Sequence, residues 1–181
     1  MRDALEDFGR WLGNAEGRDA KHVGTGVAVC AAAVFASALI SHRFAPSKAN
    51  PELRRDFKRL RAPSFEPPAP VFAAVWPPLF AGLLLSGVRV WNTPDSEGRT
   101  RALGLWAAIQ VLDAVWLAWG PRRLAPQLLT ALATFGAAEV YRREAAKLDP
   151  GAAGLVAPFV GWIAFATLIT EEFWRKNPRR R

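Results

Sequence analysis

No residue between positions 67 and 88 is charged. Twenty-two residues of this kind, wound as an α-helix, extend about 33 Å and so cross the roughly 30 Å hydrocarbon core of a bilayer. The run is approached through four prolines, Pro63, Pro67, Pro68 and Pro70. Proline lacks an N–H and has a fixed φ, and a helix tolerates both in its first turn. At the far end stand Arg89 and Trp91, a cation and an indole suited to the membrane interface. The stretch reads as a transmembrane helix with a proline-rich approach, and the other charge-free runs read as its neighbours.

Average composition hides this pattern. Of 181 residues, 22% are charged and the mean hydropathy is +0.05, values that fit a soluble protein of one domain. The charges, however, are packed between long neutral runs. The net charge of +8 suits either nucleic acid or an anionic membrane surface. No compact nucleic-acid motif accompanies it and the basic clusters flank the apolar runs, so the membrane reading holds and no nucleic-acid partner is expected. Cys30 is the only cysteine, which excludes a disulfide framework. Two histidines with no cysteine nearby argue against a zinc site. Neither a nucleophile–base pair, a glycine-rich phosphate loop nor a metal-ligand cluster is visible.

In chain order, residues 1–21 form a polar extension with Leu5, Phe8, Trp11 and Leu12 at helical spacing, a short surface stripe or a loosely ordered tail. Asp3, Glu6 and Asp7 exclude a secretory signal and fit a transit peptide poorly. The first span is expected over 23–41, rich in Gly, Ala and Ser. A connector at 43–61 carries seven Lys or Arg, with a surface helix at 51–60. The second span starts near Pro67. A polar loop at 92–100 leads to the third span, 102–120, and a turn at Pro121 leads to the fourth, 124–141. Only 15 uncharged residues lie between Arg123 and Glu139, so the fourth span is short or lets Glu139 and Arg142 snorkel. A loop at 147–151 precedes the fifth span, 152–174. These readings give an all-α membrane protein, a five-transmembrane-helix bundle with a proline-rich lid loop between helices 1 and 2. The divisions are an extension (1–21), a membrane domain (22–175) and a basic tail (176–181). Fourteen Lys and Arg on the side of the first connector against ten on the other favour a cytosolic C-terminus.

Eight tryptophans exceed what a lipid belt requires. Trp91, Trp119 and Trp174 fall at helix ends, where interfacial anchoring explains them. Trp76, Trp116 and Trp162 fall inside their spans, so each N–H must find a place in the bundle interior or on a ligand. Asp113 is the only acid within a central apolar run, and at such depth it is protonated, paired or wetted by a cavity. Three residues separate it from Trp116, which puts the two on one helix face together with Gln110. Holding a neighbouring helix by a hydrogen bond and serving a ligand or a proton both remain open for it.

Three stretches carry a resemblance: 63–80 (PSFEPPAPVFAAVWPPLF), 110–116 (QVLDAVW) and 157–174 (APFVGWIAFATLITEEFW). Together, over about residues 37–175, they resemble the TspO/MBR family of tryptophan-rich sensory or translocator proteins. The resemblance implies a cavity for flat, largely apolar ligands such as porphyrins. Carried over by motif, Trp76, Phe80, Trp116, Trp162 and Ala166 line it together with Asp113, and Pro63, Phe65, Pro67 and Pro68 form the lid. The implied function is an integral membrane receptor for a tetrapyrrole-like ligand with a sensory, regulatory or transport role. No cofactor is required; a haem-like tetrapyrrole would be the ligand. Alternatives are a small proton-linked transporter using Asp113 and a light-dependent porphyrin-degrading enzyme, although nothing in the residues establishes turnover. The implied partners are the lipid bilayer, one hydrophobic small molecule and, through the small-residue faces of the first and third spans, a homodimer. Departures are specific. Asp113 stands where the family has Asn, Thr170-Glu171-Glu172 replaces an Asn-aromatic pair, and Pro70 replaces a lid tryptophan. The only tyrosine is Tyr141, so the sterol pattern around Phe173 and Arg175 is incomplete and sterol ranks behind tetrapyrrole.

Overall fold

The computed structural model describes residues 9, 11–46 and 50–178. Their elements are α1 (Ala20–Phe44), α2 (Pro51–Lys58), α3 (Ala69–Trp91), α4 (Glu97–Trp119), a 3-10 turn (Gly120–Arg122), α5 (Leu124–Leu148) and α6 (Pro150–Lys176), and no strand occurs among the described residues. Each start has a local cause. Asp19 caps α1 by accepting from the N–H groups of Lys21 and His22, Ser96 caps α4 through Arg99 N–H, and Asp149 caps α6 through Gly151 N–H ahead of Pro150. The side-chain oxygen satisfies donors that the first turn leaves orphaned. Pro77 and Pro78 lie inside α3 without ending it. They remove two ladder bonds, which bundle helices tolerate where neighbours cover the gap.

Four helices, α1, α3, α4 and α6, are long and apolar enough to cross a membrane. The fourth predicted span, α5, is not among these four. It has 25 residues and runs past the expected end at 141 to Leu148, because the charges in its last turns pair with one another. Glu139 accepts from Arg142 (2.8 Å) and Arg143 (2.7 Å), and Glu144 accepts from Lys147 (2.7 Å). Pairs at i,i+3 and i,i+4 support helix where hydropathy does not. Consequently the loop expected at 147–151 shrinks to Asp149, and the one expected at 92–100 gives way to helix from Glu97. Of the N-terminal stripe, Leu5 and Phe8 lie outside the described residues, and Trp11 is 61% exposed.

The helices alternate in direction. α5 lies along both α4 and α6, α3 lies along α6, and α1 covers α4 and α3. One turn in from the start of α6 the Tyr141 hydroxyl meets Ser86 Oγ at 2.7 Å, and Ser86 donates to the Ala152 carbonyl at 2.8 Å. Those two bonds join α5, α3 and α6. Small residues let the backbones approach: a Cβ on Gly82 would stand 2.6 Å from the Leu155 carbonyl oxygen. Trp106, buried on α4, donates to the Leu83 carbonyl at 2.9 Å and lies flat over Gly87.

Contacts fix the two ends. At one, Arg89 holds Asp149 through two bonds and also donates to the carbonyls of Trp11 and Leu12, while Asn92 donates to Gly13. The N-terminal segment is thereby folded back onto the end of α3. At the other, Arg122 donates to Asp56 of α2, and Arg61 and Asn177 exchange backbone and side-chain hydrogen bonds of 2.9 and 3.1 Å.

A Cβ on Gly87 would come within 2.6 Å of the Trp106 ring, which its hydrogen bond prevents from turning away. Gly87→Ala is expected to destabilise the bundle by about 1–3 kcal/mol through overpacking. Gly104→Ala, which meets nothing within 4 Å, should be neutral or stabilising by up to about 1 kcal/mol. Thermal unfolding of both variants in detergent checks the pair; equal midpoints would remove the close α3–α4 contact from the account.

Candidate functional site

Near the α2 end, aromatic side chains of α3, α4 and α6 converge. Trp76 stacks on Phe80 one turn along α3, with centroids 5.3 Å apart and planes at 26°. Trp116 of α4 meets Trp76 at 6.4 Å, and Trp162 of α6 meets it edge-on, also at 6.4 Å. Phe72 and Phe165 extend the group through Trp162 at 5.6 and 5.7 Å. Edge-to-face and offset contacts at these separations suit the ring quadrupoles. The i, i+4 spacing of Phe72, Trp76 and Phe80 puts three rings in one row of α3.

Against this cluster lies the proline-rich segment. Pro63 is buried, Phe65 is 46% exposed, and the Phe65 ring packs on Phe165 at 6.2 Å. Its position is held from behind by the Arg61–Asn177 exchange and by Lys176 Nζ donating to the Ala62 carbonyl at 3.3 Å. Leu60 and Phe72 join Leu124, Ile169 and Phe173 in a separate apolar cluster that seats the segment's start against the ends of α5 and α6.

Below the rings, Trp116, Ala131, Thr134, Ile163, Ala166 and Thr167 enclose a gap with no room for a water molecule. Thr134 and Thr167 turn their hydroxyls onto carbonyls of their own helices, Thr130 and Ile163, each at 2.8 Å, so their methyl groups are left to line the gap. An open concavity of about 600 Å³ runs along the outer side of the α3–α6 contact, lined by Pro78, Gly82, Leu85, Leu155 and Pro158 among others. Its lining has no polar side chain to orient a ligand.

The indole N–H groups divide the tryptophans. Trp91 donates to the His22 carbonyl, Trp106 to Leu83 and Trp119 to Thr130 Oγ1. Trp116 Nε1 and Trp162 Nε1 are buried and have no acceptor among the described residues. Trp91 and Trp119, expected as lipid anchors, tie segments together: Arg99 lies over the Trp91 ring at 5.4 Å and Arg123 over that of Trp119 at 5.9 Å.

Of the residues singled out in the sequence, Trp76, Phe80, Trp116 and Trp162 come together, Ala166 lies beneath Trp116, and Phe65 covers Phe165. Asp113 takes another direction. It is 2% exposed, and the one side chain acting on it is Ser41 of α1, yet neither carboxyl oxygen nor Ser41 Oγ completes a hydrogen bond. Gln110 joins this polar strip between α1 and α4: its carbonyl accepts from Ser37 at 3.0 Å, and its Oε1 is unpartnered. Asp113 and Trp116, one turn apart and about 60° apart around α4, thus meet different neighbours, α1 and α3. Phe72, Phe165 and the Arg61–Asn177 exchange were not foreseen. Phe72 carries a signal, its spacing of four from Trp76; a bond across 116 residues carries none.

Comparison with known proteins agrees with this architecture. The TspO/MBR family profile matches residues 26–175. The chain is 30% identical over 126 residues to the translocator protein of Sus scrofa, covering 67% of this chain and 75% of that one. It is 28% identical over 131 residues to the translocator protein of Bos taurus (70% and 78%) and 29% over 127 residues to that of Homo sapiens (68% and 75%). With the match spanning all four apolar helices, α5 between them and the aromatic cluster, the chain is an integral, multi-pass membrane protein that belongs to the TspO/MBR family.

Proposed function

We propose that this protein binds a flat, largely apolar ligand of the tetrapyrrole type among Trp76, Phe80, Trp116 and Trp162, with Ala166 at the floor and Pro63, Phe65, Pro67 and Pro68 as the lid. The observation that carries this reading is the pair of buried indole N–H groups without acceptors inside a group of six aromatic rings. An unpaired donor in a water-free interior is costly, which is why the chain's structural indoles are bonded. A conjugated macrocycle answers both needs, offering faces for stacking and ring nitrogens or carboxylates as acceptors. Binding requires the rings to part and the lid to lift, because the gap beneath them is closed. Asp113, one turn from Trp116 on α4, supplies a polar group with unpartnered oxygens for a ligand that reaches past Trp116 toward α1.

The same reading has α5 as a fifth span, lying between α4 and α6 with its paired charges emerging at the membrane surface, and places the lid and the C-terminus on the cytosolic side. Single cysteines at Arg55 and Asp95, probed with an impermeant thiol reagent, should be labelled from opposite sides of the membrane. Labelling of both from one side would sink the five-span arrangement.

Ligand binding is tested by titrating the purified protein in detergent with protoporphyrin IX and following tryptophan fluorescence. The expected result is saturable quenching. Trp162→Ala should weaken it by about 1–3 kcal/mol, roughly 5- to 150-fold, the range for losing an aromatic wall at the centre of a site. Trp91→Ala, whose indole is spent on His22, should leave the affinity near wild type. Equal losses in the two variants would assign these indoles to folding and not to recognition.

A further inference from the structure

We propose that the outer face of α2 is a docking surface for the headgroups of anionic phospholipids. The eight residues of α2 divide sharply. Leu53 and Phe57, followed by Leu60, turn inward with Asp56, while Arg54, Arg55, Lys58 and Arg59 are all exposed. The inward side is fixed: Asp56 accepts from Arg122 at 2.7 Å, Leu53 reaches the turn at Gly120, and Leu60 packs into the apolar cluster of Leu124, Ile169 and Phe173. None of the four outward cations has a side-chain ion pair or hydrogen bond among the described residues. Only Glu52, at the edge of the face, adds a negative charge to it. At 100° per residue the four cations cover a continuous arc of about 140°.

The level of this face follows from its neighbours. All four apolar helices and α5 begin or end at the α2 end, with α1 ending at Phe44, α3 beginning at Ala69, α4 ending at Trp119, α5 beginning at Leu124 and α6 ending at Lys176. A helix braced against the Gly120–Arg122 turn therefore lies where hydrocarbon gives way to headgroups. Charge is distributed to match. Among the described residues the α2 end carries ten Lys and Arg against five Asp and Glu, and the opposite end carries eight against seven. The near-neutral end spends its cations on internal partners, as Arg89 does on Asp149 and Arg142 and Arg143 do on Glu139. The α2 stripe spends none. A row of unpaired guanidinium and ammonium groups at headgroup level is complementary to lipid phosphates, for which arginine offers paired donors. Attachment at both ends also links this surface to the lid, since Arg61, two residues beyond the last cation, is the residue that Asn177 clasps.

The test uses the full chain in a neutral detergent, titrated with phosphatidylglycerol or phosphatidylcholine and read by native mass spectrometry as bound lipid per protein. A Lys or Arg near an anionic surface contributes about fivefold in affinity. The variant R54Q/R55Q/K58Q/R59Q is therefore expected to bind phosphatidylglycerol at least about tenfold more weakly, with phosphatidylcholine binding unaltered. The control K21Q/R101Q/R143Q/K147Q removes four exposed cations from the opposite end and should bind phosphatidylglycerol like wild type. Because the four α2 cations have no side-chain ion pair or hydrogen bond among the described residues, the α2 variant should unfold at the wild-type temperature, whereas the control, which gives up pairs with Glu139 and Glu144, is compared only while it remains folded. Wild-type binding should fall in 0.5 M salt, as contacts between exposed charges do. Three results would each overturn the proposal: undiminished phosphatidylglycerol binding by the α2 variant, an equal loss in the control, or a soluble polyglutamate peptide displacing the lipid at equal charge, which would make the surface a protein-docking one.

Discussion

Two buried hydrogen bonds one turn in from the Arg89–Asp149 end of the bundle, from Tyr141 to Ser86 and from Ser86 to the Ala152 carbonyl, hold together helices that hydropathy alone would not gather. Between apolar helices in a bilayer there is no hydrophobic drive to associate, so close packing and buried polar contacts must do it. Tyr141, Ser86 and Ala152 are fully buried, and both hydroxyls have a partner. They matter most for α5, which is less apolar than its neighbours and charged in its last turns. Its small residues Ala138 and Ala145, both without exposure, bring its backbone close to its neighbours. Its charges satisfy one another along the helix. The result is a helix kept in the bundle by specific contacts and short side chains, with α4 and α6 packed on either side.

That scaffold sets the rings in place. With α3, α5 and α6 tied near the end opposite α2, the segments of α3 and α6 nearer α2 are free to carry bulk, and they carry it as Phe72, Trp76, Phe80, Trp162 and Phe165. Trp116 completes the group from α4. The contrast with Trp106 explains the division of labour among indoles: Trp106 lies in the tied region over Gly87 and spends its N–H on Leu83, whereas Trp116 and Trp162 keep theirs. The proline-rich segment then covers the rings through Phe65 while remaining attached at Arg61.

Much of this was legible in the sequence. The four apolar helices are long runs with few charges whose length suits the bilayer, and VWxxLF with its helical spacing already aligned Trp76 and Phe80. The prolines marked the approach to α3. What escaped had no local signature. The charge density after residue 138 read as an end of helix, because the pattern of mutual i,i+3 and i,i+4 pairing that sustains α5 to Leu148 was given less weight than the loss of hydropathy. Asp113 and Trp116 were placed on one face by their spacing of three, but that spacing leaves about 60° between them, enough for α1 to take one and α3 the other. The return of the N-terminal segment onto Arg89, and the clasp of Asn177 on Arg61, join positions more than 70 residues apart through single polar contacts, which no periodicity announces.

The claim on which the account rests is that Trp116 and Trp162 hold their N–H groups in reserve for a ligand. The direct measurement is a ¹⁵N-resolved spectrum of the eight indole N–H groups in detergent, recorded during titration with protoporphyrin IX and assigned by single Trp→Phe replacements. The account predicts that the Trp116 and Trp162 signals move downfield as they acquire acceptors, while those of Trp106 and Trp119 stay in place. Shifts confined to the bonded indoles, or no shift at saturating porphyrin, would contradict it.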